Sequence, residues 1–188
     1  INLFKNWFSV AEKSEINDPN ALSLATSTSD GIPSVRMVLL KGYSEDGFIF
    51  YTNFNSKKGN DLKKNPNASM CFHWKSLRRQ IRISGKVNIV SDEVADKYYN
   101  SRAYRSRIGA WASSQSSVMK KREELIQRFE EFKKKYPDEN KVPRPPHWSG
   151  WNLKPDKIEF WLEIKNRIHE RLNYRKENNN WVKEILYP

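Results

Sequence analysis

Three basic side chains recur at every second position near the C-terminal end of the chain: Arg167, His169 and Arg171. Such alternation is typical of a β-strand and would place all three on one face. Two cations and an imidazole repel one another unless an anionic group lies between them. Trp161 has the same parity in the preceding strand pattern, residues 158–164. The pattern indicates either a flat, anionic ligand or a solvated sheet face with Trp161 half covered.

Other basic side chains could bind a phosphate group. Arg36 and Lys41 bracket an apolar strand pattern, but their parity differs. In a regular strand their side chains would point to opposite faces. Only a bulge, or a ligand lying across the strand end, would let both contact the same group, and otherwise they are separate surface charges. Ser56-Lys57-Lys58 at a predicted helix start offers hydroxyl, N–H and ammonium groups to a phosphate, although the same residues suit an ordinary capped helix.

A second candidate phosphate site has a helical spacing. Tyr98, Arg102 and Ser106 recur at four-residue steps. On one continuous helix they would line one face and could bind a phosphate, while the alternative is an amphipathic helix end. The tripeptide Gln115-Ser116-Ser117 lies in a predicted polar loop and indicates little by itself.

Several common motifs are missing from the sequence. It contains no G-x-G-x-x-G and no Walker-type loop, so Arg, Lys and hydroxyl side chains would have to hold any nucleotide phosphate. The histidines His73, His147 and His169 have no acidic or Cys neighbours at metal-ligand spacing, so we expect no metal site. No nucleophile-elbow motif is present, which argues against a Ser-His-Asp hydrolase.

The composition is that of a folded, strongly basic chain. Its 188 residues suffice for one domain with a core. The formal net charge of +12 predicts an anionic partner: nucleic acid, a membrane surface or a phosphorylated small molecule. The single cysteine, Cys71, suits a reducing compartment, and we expect a cytoplasmic protein. No apolar run approaches the roughly 20 residues of a membrane span. Because the chain begins at Ile1 without Met, we expect native residues to precede it.

Strand patterns with short turns fill most of the chain and are interrupted by helices. Helical spacing predicts helices over residues 3–11, 56–64, 91–102 and 118–136, the last with an apolar stripe at Leu125, Ile126, Phe129 and Phe132. Strand patterns cover residues 21–28, 34–41, 48–52, 68–74, 80–90, 148–153, 157–163, 167–175 and 181–186.

Three details complete the predicted architecture. Residues 34–41 are almost continuously apolar, which predicts a strand buried on both faces. Residues 106–115 are predicted to be irregular, and a hairpin at Asn178-Asn179-Asn180 precedes the last strand. The order of elements predicts one α+β domain over residues 1–188, built on a small antiparallel barrel.

The C-terminal run Glu159-Phe160-Trp161, followed by Arg167-Ile168-His169-Glu170-Arg171, resembles the signature of the pyridoxamine 5'-phosphate oxidase family. The resemblance covers nearly the whole chain through further motifs in family order: Arg36-Met37-Val38-Leu39-Leu40-Lys41, Phe50-Tyr51-Thr52-Asn53, Ser56-Lys57-Lys58, Arg79-Gln80, Tyr98 to Ser106, Ile108-Gly109-Ala110-Trp111 and Gln115-Ser116-Ser117. It implies a mainly β fold with helices, a split antiparallel β-barrel that binds flavin mononucleotide (FMN) at a homodimer interface.

The resemblance also implies roles for individual residues. The FMN phosphate would be bound by Arg36, Lys57 and Lys58, and the rest of FMN by Met37, Val38, Leu39, Lys41, Tyr51, Thr52 and Gln80. Gln115, Ser116, Trp161 and Arg171 would close the cofactor site from the other subunit. Lys41, Tyr98, Arg102 and Ser106 would hold the substrate phosphate. Arg167 and His169 would lie over the substrate ring as the catalytic residues, with Arg167 the more important.

The activity implied by the resemblance is oxidation of pyridoxamine or pyridoxine 5'-phosphate to pyridoxal 5'-phosphate. Dioxygen would be reduced to hydrogen peroxide, and the amine would release ammonia. One alternative is another FMN-dependent oxidase or reductase of the same barrel class. A second is a non-enzymatic polyanion-binding protein, but basic and acidic residues interleave in residues 120–135 and no nucleic-acid motif appears. We therefore expect a phosphorylated small substrate and a homodimer, without nucleic acid or membrane.

Overall fold

The computed structural model describes residues 1–178 and 180–188. Its strands are β1 (Ala21–Ser27), β2 (Pro33–Leu39), β3 (Gly42–Ser44), β4 (Gly47–Asn53), β5 (Asn67–Trp74), β6 (Arg79–Ile89), β7 (Trp148–Leu162), β8 (Glu170–Glu177) and β9 (Asn180–Ile185). Its helices are α1 (Asn2–Ser14), α2 (Lys57–Lys64), α3 (Asp92–Ser101), α4 (Tyr104–Ala112) and α5 (Arg122–Lys135), with a 3-10 turn at Lys165–Arg167. The predicted α+β class is confirmed.

The strands form one sheet that branches at β7. The main path runs β2-β1-β5-β6-β7-β4-β3, and every pairing between the described strands is antiparallel. One edge of β7 pairs with β6 over most of its length. The other edge pairs with β4 near its start and with β8 near its end, and β9 pairs with β8. This branching confirms the predicted split barrel.

The core lies inside the curled sheet and is closed by α1. Helix α1 has an apolar face at helical spacing and buries Phe4 and Phe8. The ring of Phe4 lies edge-on to Tyr43, Phe48 and Phe72, with centroid distances of 5.1, 4.9 and 5.5 Å. The first helix therefore anchors the barrel core from which the site-bearing strands extend.

Two of the predicted C-terminal strands, residues 148–153 and 157–163, are one continuous strand, β7. The prediction divided it because Pro155 interrupts the pattern and lacks the N–H group that a ladder needs. The pairing with β6 shifts at this point, between Ser84 and Gly85. A bulge at this shift lets β7 continue past the proline.

The third predicted strand, residues 167–175, begins only at Glu170. The preceding residues Asn166 and Arg167 have φ values of +61° and +63°, in the left-handed region. Such angles are uncommon outside glycine and end the extended conformation. Arg167 and His169 therefore do not share a strand face with Arg171, as the alternation had suggested.

Strand β2 is not buried on both faces, contrary to the prediction. It is the terminal strand of the sheet, and its side chains alternate between half-buried and exposed. Val35, Met37 and Leu39 are 68%, 62% and 38% exposed. The strand also ends at Leu39, because the N–H of Lys41 donates instead to the carbonyl of Ile49 at 2.8 Å. An edge strand with this apolar content leaves a surface for another chain.

The helices follow the prediction in part. Ser56 caps α2 as expected, since its hydroxyl accepts from Gly59 N at 3.3 Å. Residues 106–115 were wrongly predicted to be irregular, because α4 occupies most of them. Ile108 and Ala112, one turn apart, are buried and anchor α4. The N-cap residue Ala103 has no side chain that could cap the helix, so the sequence lacks the usual signal for a helix start there.

Helix α5 is shorter than predicted, and its apolar stripe is not buried. Leu125 and Ile126 are exposed, while Phe132 packs against Trp111 at 5.5 Å. The predicted hairpin at Asn178-Asn179-Asn180 includes residue 179, which lies outside the described residues, although β8 and β9 pair on either side of it. No helix within residues 1–178 and 180–188 is long and apolar enough to cross a membrane.

Candidate functional site

A cavity of about 660 Å³ opens where β2 and β4 end, beside α2, the α3–α4 junction and the start of β7. It unites many of the predicted site residues: Met37, Val38, Leu39, Lys41, Tyr51, Thr52, Lys58, Tyr98, Arg102, Ser106 and Gln115. Lys41 reaches the cavity because the chain leaves β2 at Leu39 and passes to β3, so the parity argument against Lys41 does not apply. Arg36, which remains within β2, does not line the cavity.

One part of the cavity is formed by a buried lysine with neutral partners. The Lys58 ammonium lies 2.9 Å from Gln115 Oε1, 3.2 Å from Thr52 Oγ1 and 3.5 Å from Ser56 Oγ. Burial lowers the pKa of Lys58, and the charge of Arg36 lowers it further. In the described chain no carboxylate pairs with Lys58, and a buried cation without a counter-charge is costly. This part of the cavity therefore suits an anionic group.

Gln115 contacts Lys58 of its own chain, whereas the family resemblance implied that it would reach the cofactor site from the other subunit. Its amide oxygen occupies the position where the Lys58 and Thr52 donors converge. The neighbouring Ser116 is exposed, does not line the cavity and has a φ of +72°. Asn53, which the site prediction omitted, holds this segment by donating to the Ser113 carbonyl at 3.2 Å.

Arg36 and Lys57 lie behind Lys58 and share a buried carboxylate, Asp61. Arg36 Nη1 donates to Thr26 Oγ1 at 2.7 Å, and its Nη2 lies 3.8 Å from Asp61 Oδ2. Lys57 Nζ lies 3.4 Å from Asp61 Oδ1. Burial lowers the pKa of Arg36, and Asp61 partly offsets this. These two cations contribute positive potential to the Lys58 part of the cavity without lining it.

The other part of the cavity centres on Arg102. The helix does not continue from Tyr98 to Ser106, which was the condition for these residues to share one helical face, because α3 ends at Ser101 and Arg102 is extended. The break still unites the three side chains, since Tyr98 lies on α3 and Ser106 on α4. Arg102 Nη1 is buried and makes no hydrogen bond to any described residue. Burial also lowers the pKa of Arg102. The buried, unpartnered Nη1 donor makes this part of the cavity a second candidate position for an anion.

Trp148 also lines the cavity, and sequence reasoning missed it. Its indole lies nearly parallel to the rings of Tyr51 and Tyr98, at centroid distances of 5.2 and 6.2 Å. Trp148 comes to Tyr51 because β7 pairs antiparallel with β4, with Gly150 opposite Tyr51. This contact depends on a long-range strand register, and no local motif could have revealed it.

The remaining predicted residues form a separate group at the far end of β7. Gln80, Trp161 and Arg171 are neighbours across β6, β7 and β8, and none of them lines the cavity. The His169 ring lies 4.8 Å from the Trp161 ring. Because Trp148 and Trp161 are separated by roughly 40 Å of extended strand, one chain does not bring both groups together.

His169 and Arg167 differ in how they are held. The backbone N–H of Ile164 donates to His169 Nδ1 at 3.2 Å, so the proton of the neutral ring is on Nε2. Arg167 is exposed at its left-handed position, and its guanidinium makes no hydrogen bond within the described chain. Both groups are thus available to a molecule placed against this surface.

The cationic face around Arg171 already contains an anion, the buried carboxylate of Glu159. Arg171 donates to Glu159 at 3.0 Å through Nε and at 3.2 Å through Nη2, and Arg82 donates to the same carboxylate. Burial alone would raise the pKa of Glu159, but hydrogen bonds from Arg171 and Arg82 outweigh it and lower the pKa. Glu159 therefore supplies part of the counter-charge that the sequence pattern assigned to a ligand.

Glu159→Gln is expected to lower the free energy of unfolding by about 2 kcal/mol at pH 7, since the charge-assisted hydrogen bonds from Arg171 and Arg82 weaken. Because the folded pKa lies below the unfolded value, the carboxylate contributes this stability above the unfolded pKa of about 4.3 and loses it as pH falls through the folded pKa. Urea unfolding at pH 7 and in steps below pH 4 measures both effects. The exposed neighbour Glu163 is the control, and equal losses from Glu163→Gln and Glu159→Gln would contradict the assignment.

Comparisons with known families cover almost the whole chain. Residues 10–136 match the family described as pyridoxamine 5'-phosphate oxidase. Residues 148–188 match the family described as the pyridoxine 5'-phosphate oxidase C-terminal dimerisation region. The first match contains the cavity residues from α2 to α4, and the second contains Trp148, Trp161 and Arg171.

Individual relatives agree with these matches. The chain is 63% identical to a pyridoxine/pyridoxamine 5'-phosphate oxidase of Pelagibacter ubique, over 100% of this chain and 91% of that protein. It is 52% identical to the protein of the same name from Agrobacterium fabrum, over 99% and 91%. A solved structure of PhzG from Burkholderia lata, in complex with tetrahydrophenazine-1-carboxylic acid, superposes with a TM-score of 0.93 at 33% identity, covering 100% and 91%. The chain therefore belongs to the pyridoxamine 5'-phosphate oxidase family.

Proposed function

We propose that this chain is an FMN-dependent oxidase that converts pyridoxamine 5'-phosphate or pyridoxine 5'-phosphate to pyridoxal 5'-phosphate, with dioxygen as the electron acceptor. One observation carries the proposal: the cavity contains the buried Lys58 ammonium and the half-buried Arg102 guanidinium with its buried Nη1, and neither cation has a carboxylate partner in the described chain. A phosphorylated cofactor together with a phosphorylated substrate supplies two anions. The names of the relatives supply the substrate class.

The residues around Lys58 fit the phosphate of FMN. Lys58 and Thr52 provide two donors that now converge on a neutral amide oxygen, which a phosphate oxygen can replace. Arg36 and Lys57 add positive potential from behind. Backbone and side chains of Met37, Val38 and Leu39 offer an apolar wall for the ring system. When bound, FMN takes up two electrons from the substrate and passes them to dioxygen.

The residues around Arg102 fit the substrate phosphate. Arg102 presents in-plane N–H donors, Tyr98 and Ser106 present hydroxyl groups, and Lys41 adds an ammonium from the neighbouring wall. Two phosphate positions in one cavity hold two rings at a set separation and orientation. In this proposal the protein acts mainly by alignment and by balancing charge.

A second copy of the chain completes the site. None of Gln80, Trp161, Arg167, His169 and Arg171, which lie around the far end of β7, lines the cavity of its own chain, so the partner supplies them. The exposed apolar row on β2 and the match to a dimerisation region support this arrangement. Arg171 and Trp161 then contact FMN, while Arg167 and His169 lie over the substrate ring. His169 orients the substrate through Nε2–H, and Arg167 balances negative charge.

The test is to load the purified protein with FMN and to measure its products. We expect a yellow protein that forms pyridoxal 5'-phosphate and hydrogen peroxide in equal amounts, with ammonia from the amine substrate. Unphosphorylated pyridoxamine is the control and should react poorly. A yellow protein without this turnover would indicate another FMN-dependent oxidase or reductase. A colourless protein that binds polyanions in a salt-dependent manner would contradict the proposal altogether.

A further inference from the structure

We infer that Trp148 is a positioning residue for the substrate phosphate: its indole holds the Arg102 guanidinium and the Tyr98 ring in their binding orientations. The inference rests on the proposed function, because it assigns the phosphate to Arg102 and Tyr98. Trp148 is uncharged and lies outside the C-terminal motif, so neither the cations of the cavity nor that motif identifies it as part of the site.

The first support is the contact between Trp148 and Arg102. The guanidinium carbon lies 4.8 Å from the centroid of the indole, which is itself buried. A guanidinium stacked on an aromatic face is attracted by the ring's electrons, while its N–H donors all lie in its own plane. Stacking therefore fixes the plane without using the donors. In agreement with this, Arg102 Nη1 is buried and donates to no group of the described chain, so stacking holds the guanidinium while its donors stay unused.

The second support is the parallel arrangement of three rings. Trp148 lies within 8° of the planes of both Tyr51 and Tyr98, and Tyr51 stacks on Tyr98 at 4.0 Å. A Cβ atom on Gly150 would lie 2.8 Å from Tyr51 Cε1, so the absent side chain lets Tyr51 lie flat against β7. Because the Tyr98 ring lies 4.0 Å from Tyr51 and 6.2 Å from the indole, Trp148 orients Tyr98 mainly through the Tyr51 ring that stacks on both.

The third support is the way Trp148 itself is held. Arg144 Nη1 donates to the Trp148 carbonyl at 3.0 Å, and the same guanidinium forms ion pairs with Asp92 and Asp96 on α3. Helix α3 carries Tyr98 and ends beside Arg102. One arginine thus ties the start of β7 to the helix whose side chains the indole orients. Trp148 and the phosphate-binding residues are held as one unit.

A positioning role and a purely structural role have different consequences. If the indole only filled space, its removal would weaken the fold and every ligand site together. If the indole orients Arg102 and Tyr98, its removal lets their side chains adopt other rotamers. Ordering them again when phosphate binds costs free energy, so the affinity for the substrate phosphate falls. Lys58, which is proposed to bind the FMN phosphate, has no contact with Trp148, so the affinity for FMN should fall much less than the affinity for the substrate phosphate, although Trp148 also stacks on Tyr51.

The experiment compares Trp148→Leu with the conservative Trp148→Phe and with the control Trp111→Leu. Trp111 lies on α4 and also carries an indole, but it packs against Phe132 and Tyr136 outside the cavity. The readouts are the FMN dissociation constant of the apoprotein, the dissociation constant of pyridoxal 5'-phosphate on the FMN-loaded dimer, and KM and kcat for pyridoxine 5'-phosphate.

For Trp148→Leu we expect the pyridoxal 5'-phosphate dissociation constant and the KM to rise about tenfold, from loss of the cation–π contact. The FMN dissociation constant and kcat should each change by less than about threefold, and Trp148→Phe should recover most of the loss because it keeps an aromatic face. Trp111→Leu should leave all four values near those of the wild type.

Three results separate the possible failures. The inference alone is overturned if wild-type protein binds pyridoxal 5'-phosphate and Trp148→Leu binds it equally well. It is also overturned if both Trp148 variants lose FMN and pyridoxal 5'-phosphate in parallel, since that is a structural role. If the wild-type protein neither binds nor forms pyridoxal 5'-phosphate, the proposed function fails and the inference fails with it.

Discussion

Arg102→Leu is expected to raise the KM for pyridoxamine 5'-phosphate by about a hundredfold, because it removes charge-assisted hydrogen bonds worth about 3 kcal/mol. Leucine fills much of the space against Trp148 and Tyr99 but offers no donor. The Arg102 guanidinium is half-buried and its Nη1 is shielded from solvent, so a phosphate displaces less water there than at an exposed arginine. FMN affinity should change by less than about twofold, since Arg102 acts on the other phosphate.

Steady-state kinetics with the phosphorylated and unphosphorylated amines tests this prediction. The slow reaction of unphosphorylated pyridoxamine should be nearly unchanged in Arg102→Leu, because it lacks the group that Arg102 binds. Arg105→Leu is a matched control, since Arg105 is exposed on α4 and lies over Phe129 outside the cavity. An equal loss in the Arg105 variant, or a loss in Arg102→Leu that is the same for both amines, would count against a phosphate role.

Arg167→Ala is expected to lower kcat by about a hundredfold while FMN remains bound. Loss of one fixed hydrogen-bond donor that stabilises charge at a reacting centre typically has an effect of this size. Arg167 has the side-chain freedom for this role, because it makes no hydrogen bond within the described chain. Its backbone, by contrast, is held in a left-handed conformation beside Asn166. Such strain is stored where a side chain must be aimed accurately.

The measurement is kcat together with FMN content per protomer. Lys165→Ala is the matched control, because Lys165 is an exposed cation in the same turn. If Lys165→Ala lowered kcat to the same extent, the general charge of the turn would be responsible. If Arg167→Ala lost its FMN, Arg167 would belong to the cofactor site.

Mixed dimers provide a joint control for both substitutions. A dimer of one Arg102→Leu chain and one Arg167→Ala chain contains one site with both changes and one site with neither, provided that each site takes Arg102 and Arg167 from different chains. Mixing the two impaired proteins should then restore about half of the wild-type activity per mixed dimer at substrate concentrations near the wild-type KM. If both residues came from one chain, every site would carry a change and no activity would return.

Local patterns predicted the parts of the site that depend on neighbouring residues. Ser56 and the two lysines after it were identified from a helix-start pattern, and the structure confirms the Ser56 cap. Tyr98, Arg102 and Ser106 were grouped by helical spacing, although the helix breaks at Arg102. The grouping survives because the break between α3 and α4 turns all three side chains into the same cavity.

Long-range pairing explains what the sequence could not predict. Glu159 has the parity of Trp161, but its role as counter-ion to Arg171 and Arg82 depends on which strands flank β7. Trp148 likewise meets Tyr51 only through the register of β4 and β7. The edge position of β2 is also a property of the whole sheet. None of these relations is encoded by residues close together in sequence.

The unbroken course of β7 has a consequence for how the cofactor enters and leaves. One strand, β7, carries both Trp148, which lines the cavity, and Trp161, which lies on the surface offered to the partner. Neither residue can therefore move far without shifting β7 and the sheet that it belongs to, in both subunits. Residues 113–121 form neither helix nor strand, and they hold Gln115 over Lys58. If FMN binds as proposed, its exchange would require this segment to swing aside or the subunits to separate. We therefore expect FMN to have a long residence time and to stay bound through successive turnovers.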